Sequence, residues 1–331
     1  MNILLVRTSA LGDVVHCLPV LRALRRHRPE ARIAWVVEAA MAPLLEGHSD
    51  LDELFTVRLR PWRREPFAGT TVSGVFGFLG RLRRFRADVA LDLMGNHKGG
   101  LIARLSGARQ VVGLARPFRR EPSSALWIGR GMIPAGRHAV DRALSLLPAL
   151  GLPIEAADFG AEQILPARPG DAPADAAEVL IHPGAGWANK VYPPRQWAAV
   201  ARGIAARGIR VEVAVARGEE PLAEEIVATS EGAARLRQAG DLHSLAALLR
   251  ATRLLLAGDT GPLHLAHALG TSVLGVFGPT DPERHGPWGS PERAMALSLP
   301  CSFCYKRFDG PRACLLGLAP EAVADRALEL L

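Results

Sequence analysis

The apolar residues of this 331-residue chain come in short continuous runs separated by amphipathic stretches, and that alternation sets the fold class. Ile3 to Val6 is apolar throughout and ends at Arg7; beyond it Val14, Leu18, Leu21 and Leu24 share one helical face, with Arg22, Arg25 and Arg26 off it. Pro19 falls inside that stretch, which predicts an irregular first turn or a kink. Further strands are expected at RIAWVVE (32–38), at LDELFTV (51–57) as a short edge, at ADVALDL (87–93) and at RQVVGLA (109–115), and His138 to Leu150 has helical spacing. PARPGDAPADAAE (166–178) reads as a linker. A second series then opens at EVLIHPGAG (178–186), with helices at 194–207, 219–229 and 241–251 and a strand at IRVEVAV (209–215). RLLLAGDTGPLHLAHALGTSVLGVFG (253–278) supplies strand, turn, helix and strand, and APEAVADRALELL (319–331) closes the chain as a helix with Pro320 in its first turn. Strands separated by helices need crossovers, so two parallel α/β domains with a cleft between them are predicted. Residues 58–86 resist this reading: PFAGTTVSGVFGFLGRLRRFR, with many glycines among apolar residues, is compatible with a bent helix or with a membrane-facing loop.

Composition supports two cores, since 49% of residues are hydrophobic and chains of this length usually divide. The formal charge of +7 is unevenly placed. Residues 1–165 carry 23 Lys or Arg against 15 Asp or Glu, whereas the remainder carries 17 against 18. The clusters RLRPWRR (58–64), RLRRFR (81–86) and RPFRR (116–120) suit an anionic partner, whether nucleic acid, membrane surface or small substrate. Two Tyr residues give no stacking platform for single-stranded nucleic acid. The first apolar run is too short for a signal peptide or a membrane span, so a cytosolic protein is expected. Cys301, Cys304 and Cys314 form a CxxC with a third thiol ten residues on, but structural zinc takes four ligands, with His285 distant in sequence and Cys17 in the other half, so no metal is expected.

Candidate chemistry gathers where strands run into turns. Asp259, Thr260 and Gly261 sit between a strand and a helix, which puts an acidic residue and free backbone N–H groups where open parallel sheets bind ligands and helix N-termini hold phosphate. Lys190 follows the loop Gly184, Ala185, Gly186 and is placed to neutralise phosphate oxygens beside those N–H groups. Asp13, after Gly12, is either a helix cap or a general base. Glu219 and Glu220 follow the strand 209–215, where an acidic residue can accept ribose hydroxyls. The chain has no GxGxxG after its first strand, no GxxxxGK[ST] and no GxSxG, which excludes the usual nicotinamide, P-loop and hydrolase-elbow signatures.

Taken together, ILLVRTSALGDVVHCLPVLRAL, WVVE (35–38), HPGAGWANKVYPPRQW, GDTGPLHLAHALGTSVLGVFGPTDP and HGPWG resemble, in order and over essentially the whole chain, the ADP-heptose:lipopolysaccharide heptosyltransferases of glycosyltransferase family 9. The resemblance implies a GT-B fold: two Rossmann-like domains facing across a deep cleft, 1–165 for the acceptor and 179–318 for the nucleotide-sugar, with the helix 319–331 packing back on the first domain. It implies inverting transfer of heptose from ADP-heptose to the Kdo-bearing inner core of lipopolysaccharide, with no cofactor or metal required. Asp13 matches the catalytic base and Lys190 the diphosphate-binding Lys. Asp259, Thr260, Gly261 and His264 match the donor motif, Glu219 or Glu220 the ribose-binding Glu, and Leu242 the residue against adenine. An anionic acceptor would meet Gly12, Arg60, Arg63, Arg64, Lys98 and Arg120. The HPGA loop leans toward the type II enzymes and WVVE toward type I. A monomer in peripheral contact with the cytoplasmic face of the inner membrane is expected, without nucleic acid. The alternatives are another family 9 transferase with a different sugar or acceptor, and a non-catalytic binder of anionic lipid or nucleic acid.

Overall fold

The computed structural model describes residues 1–166, 168, 175–215 and 218–331. Most of the expected linker 166–178 therefore lies outside the described residues. The chain forms two compact units, Met1–Ile164 and Leu165–Leu331.

In the first unit a six-stranded parallel sheet has the order β3-β2-β1-β4-β5-β6. Its strands are β1 (Asn2–Val6), β2 (Arg32–Glu38), β3 (Glu53–Val57), β4 (Val89–Asp92), β5 (Gln110–Leu114) and β6 (Arg130–Met132). The central strands are apolar on both faces because helices cover both; Ile3 to Val6 and Ile33 to Val37 are buried without a break. The helices are α1 (Leu11–Val15), α2 (Leu18–His27), α3 (Leu59–Arg64), α4 (Gly69–Arg84), α5 (His97–Leu105) and α6 (Ala139–Leu144). The expected irregularity at Pro19 is resolved by a break: one helix stops at Val15 and the next starts at Leu18, so that Pro19 occupies a first-turn position where its missing N–H costs nothing.

The segment that resisted prediction is helical. α4 buries Thr71, Phe78 and Leu82, and Trp62 of α3 packs on the Phe78 ring at 6.0 Å, which ties both helices to the core of Leu4, Val36 and Phe55. Tertiary burial thus outweighs the glycines in this helix, each worth roughly 1 kcal/mol against helix formation.

The second unit repeats the plan, with order β12-β11-β10-β7-β8-β9. Its strands are β7 (Val179–His182), β8 (Val211–Val215), β9 (Ala234–Gln238), β10 (Leu254–Gly258), β11 (Ser272–Phe277) and β12 (Ala294–Ala296). Its helices are α7 (Pro194–Ala205), α8 (Glu220–Thr229), α9 (Leu242–Ala251), α10 (Gly261–Ala268), α11 (Pro282–His285), α12 (Ala313–Leu316) and α13 (Pro320–Glu329). Counted within its own unit, each sheet runs 3-2-1-4-5-6, the dinucleotide-fold order, whose switch point lies between the first and fourth strands.

Helix α13 packs against α7, and Val323, Ala324 and Ala327 belong to the core of the second unit together with Trp197 and Ile204. No helix among the described residues is long and apolar enough to cross a membrane.

Candidate functional site

In the second unit the two segments that sequence reasoning singled out meet at the switch point. β10 ends at Gly258 and the chain turns through Asp259 and Thr260 into α10, whose N-terminal N–H groups receive no side-chain cap from Thr260. After β7 the chain passes through Gly184, Ala185 and Gly186 to a tight turn at Ala188–Lys190. Gly258 permits the approach: a Cβ there would stand 3.1 Å from the Lys190 carbonyl oxygen. The Lys190 Nζ donates to Asp259 Oδ2 at 2.6 Å, and His264 Nε2 lies 3.2 Å from the other carboxylate oxygen. Burial pushes the Asp259 carboxyl up, but the His264 hydrogen bond and the Lys190 charge outweigh it and hold the group well below the usual carboxylate range. The result is a fixed anion held by two cationic or donor side chains, at the foot of an uncapped helix.

Trp187 was missed by the sequence reading. Lys190 Nζ stands 4.5 Å from its ring centroid and Arg307 Cζ also 4.5 Å, so one indole carries two cations. Arg307 comes from a segment more than a hundred residues away, and no local spacing could have paired it with Trp187. Asn189 donates to the Lys306 carbonyl at 2.9 Å and holds the two segments together.

The two glutamates separate. The Glu219 carboxylate fills the space over Gly184, where any side chain would collide with it. Glu220 accepts from the Gly218 N–H at 2.6 Å and is spent on its own helix start. Leu242, half-buried, opens α9, with Asp241 capping that helix through the Ser244 N–H. His182, at the end of β7, is buried, and burial pushes its imidazole pKa down to about 4.

In the first unit Asp13 lies in the first turn of α1, beside buried Gly12. Arg7 pairs with one oxygen at 2.5 Å, and the Ala10 N–H donates to the other at 3.1 Å. The Arg7 guanidinium also donates to the Leu93 carbonyl at 2.6 Å, so the loops after β1 and β4 are joined behind the carboxylate. Asp13 keeps about a third of its side chain exposed, at 35%. The basic residues lie in three other segments. Arg60 and Arg64 line a cavity of ≈ 450 Å³ with Arg58, Trp62, Thr70 and Thr71, and Arg63 is exposed on the same helix. Lys98 is exposed in the first turn of α5, and Arg120 is exposed beside a buried pair, Asp92 and Arg119, that sequence reasoning did not mark.

The cysteines do not form a centre. Cys301 and Cys304 are exposed and Cys314 is buried at α12; all three are free, and no group of three or more His, Cys, Asp or Glu among the described residues is placed to hold a metal ion.

Comparison with known proteins gives a consistent result. The family model described as glycosyltransferase family 9 (heptosyltransferase) matches residues 75–311. Lipopolysaccharide heptosyltransferase 1 of Pseudomonas aeruginosa is 33% identical over 314 residues, 93% of this chain and 87% of that protein. The enzyme of the same name from Escherichia coli K12 is 28% identical, with 100% of both chains covered. Among solved structures, E. coli heptosyltransferase WaaC with ADP superposes with a TM-score of 0.83 at 26% identity, covering 100% of each chain. The two Rossmann-like units are accordingly those of a GT-B fold.

Proposed function

The chain belongs to glycosyltransferase family 9, and on that premise we propose that it moves heptose from ADP-heptose to the Kdo-bearing inner core of lipopolysaccharide with inversion at the anomeric carbon. The observation that carries the donor half is the junction of Lys190, Asp259 and the N-terminus of α10. A leaving diphosphate placed there meets the Lys190 ammonium and the first N–H groups of α10, both fixed before the reaction begins, so the developing charge is met without reorganisation. Asp259, held ionised by Lys190 and His264, accepts hydrogen bonds from sugar hydroxyls. Glu219 over Gly184 accepts from ribose, with Leu242 against adenine; Gly184, Ala185 and Gly186 leave the backbone open to the phosphates.

On the acceptor side Asp13 takes the proton of the attacking hydroxyl. Arg7 and the Ala10 N–H hold both carboxylate oxygens in place, which orients the base. Arg60, Arg63, Arg64, Lys98 and Arg120 receive the anionic core. A lipid-anchored acceptor brings the protein, as a monomer and without nucleic acid, to the cytoplasmic face of the inner membrane. The names of the two relatives support the type I acceptor.

A transfer assay crossing nucleotide-sugars with truncated lipopolysaccharide acceptors, read by mass, tests the whole reading. One added heptose on a Kdo-terminated acceptor is expected, and product only from another sugar or acceptor would overturn the assignment. Asp13→Ala should lower kcat by about 10²–10⁴-fold with ADP binding retained; normal turnover would remove Asp13 as the base. Glu219→Ala should raise the KM for donor roughly tenfold, with Glu220→Ala near wild type.

A further inference from the structure

Beside Arg60, Arg63 and Arg64, α4 and the turn before it carry an apolar surface that neither the donor nor the acceptor residues explain. From Pro66 to Gly80 the chain has no charged residue, yet Phe67 is 94% exposed, Phe76 71% and Val72 42%. These are outward positions. Thr71, Phe78 and Leu82 form the buried face of α4, and Val72 and Phe76, four apart, share the opposite one. A helix facing bulk water would place Lys or Glu there. Arginines stand on either side of the uncharged stretch: residues 58–86 hold eight Arg and one Glu, a balance of +7 and equal to the formal charge of the whole chain.

Protruding aromatic tips within a field of a single sign fit one kind of partner. We infer that α4 and the turn before it form a docking surface for a bilayer of anionic phospholipid, with Phe67 and Phe76 entering the boundary between headgroups and acyl chains and the arginines not given to the acceptor, Arg58, Arg81, Arg83, Arg84 and Arg86, meeting lipid phosphates. A second copy of the chain is disfavoured, because a symmetric contact through this face would set eight arginines against eight. The attachment of α3 and α4 to the sheet through Trp62, Phe78 and Leu82 means the surface is presented by a rigid element. The inference rests on the reading that the acceptor is membrane-bound, and it says which face of the first unit meets that membrane.

The test uses the full chain and phosphatidylcholine vesicles with and without phosphatidylglycerol, separated by flotation. Wild type should float with the anionic vesicles and far less with the neutral ones, and raised salt should release it. The double variant Phe67→Ser/Phe76→Ser, both at exposed positions, should partition roughly tenfold or more weakly with an unchanged melting temperature. Phe76→Trp should show added indole emission that brominated lipid quenches. Equal partitioning of wild type and double variant, or equal binding to both vesicle types, would overturn the proposal, as would a concentration-dependent dimer that the double variant abolishes. Vesicle binding involves no heptose, so it stands apart from the transfer reaction. With an acceptor stripped of its acyl chains the double variant should turn over like wild type; loss of activity there would assign the two Phe residues to the acceptor site and overturn the docking role.

Discussion

The two sheets share one strand order, and each carries an acidic residue at the end of its fourth strand paired with a basic one, yet the two pairs are built for different ends. In the first unit Asp92 meets Arg119 at 2.5 Å, with both side chains 0% exposed. Each nitrogen of the Arg119 guanidinium makes a hydrogen bond. Arg119 also donates to Ser124 Oγ and the Leu114 carbonyl, and Asp92 Oδ1 accepts from the N–H groups of Met94 and Gly95. In the second unit Lys190 and Asp259 retain some exposure, at 14% and 8%, and among the described residues the ammonium makes one hydrogen bond. A sealed guanidinium bonded through each of its nitrogens is built as a structural clamp, whereas a partly exposed ammonium beside an uncapped helix is still open to an anion. Topological position alone does not make a ligand site; what differs is whether the pair stays open to solvent.

The sharpest way to break this comparison is to remove each cation. Arg119→Met should destabilise the protein by about 3–5 kcal/mol, because Asp92 would lose its partner in a sealed site and the loop after β5 would lose its anchor. Urea unfolding followed by circular dichroism reads this directly. A loss below about 1 kcal/mol would mean the pair is not the clamp described. Lys190→Met should behave in the opposite manner. Its stability loss should be smaller, about 1–2 kcal/mol, since His264 still serves Asp259, but kcat should fall by about 10²–10³-fold. If stability fell as far as in Arg119→Met while kcat held, the two pairs would have the same role and the distinction would collapse.

The sequence made one of these pairs legible and not the other, for a physical reason. Asp259 and Lys190 each stand in a glycine-punctuated turn after an apolar run, and such turns are where parallel sheets place ligands. Arg119 lies in a basic cluster where any arginine reads as surface, and only the fold shows that this one turns inward. The missed strands follow the same logic. β6, β9 and β12 are short and flank the sheets as edge strands, and ARLRQ carries two arginines and a glutamine, so no apolar run announces it. α4 was hidden by its glycines because the packing of Phe78 and Leu82, which overrides their propensity, is tertiary.

The smallest expected effect sharpens the second region further. His182 ends β7 just before the Gly184 loop, its imidazole buried and its Nδ1 without a hydrogen-bond partner. Burial lowers its pKa to about 4, from an ordinary value of 6.5. The folded state therefore binds this proton less readily than the unfolded chain does. The associated stability is fully present above about pH 6.5 and is lost as pH falls toward 4, with a slope of at most about 1.4 kcal/mol per pH unit. Asp259 contributes nothing to that window: its carboxyl is held below the ordinary range, so its share is lost only below about pH 3.8. Urea midpoints measured from pH 7.5 down to about pH 4.5 should then fall more steeply in wild type than in His182→Met, whose side chain is of similar size and does not titrate. Parallel slopes in the two proteins would show that the acid sensitivity arises elsewhere.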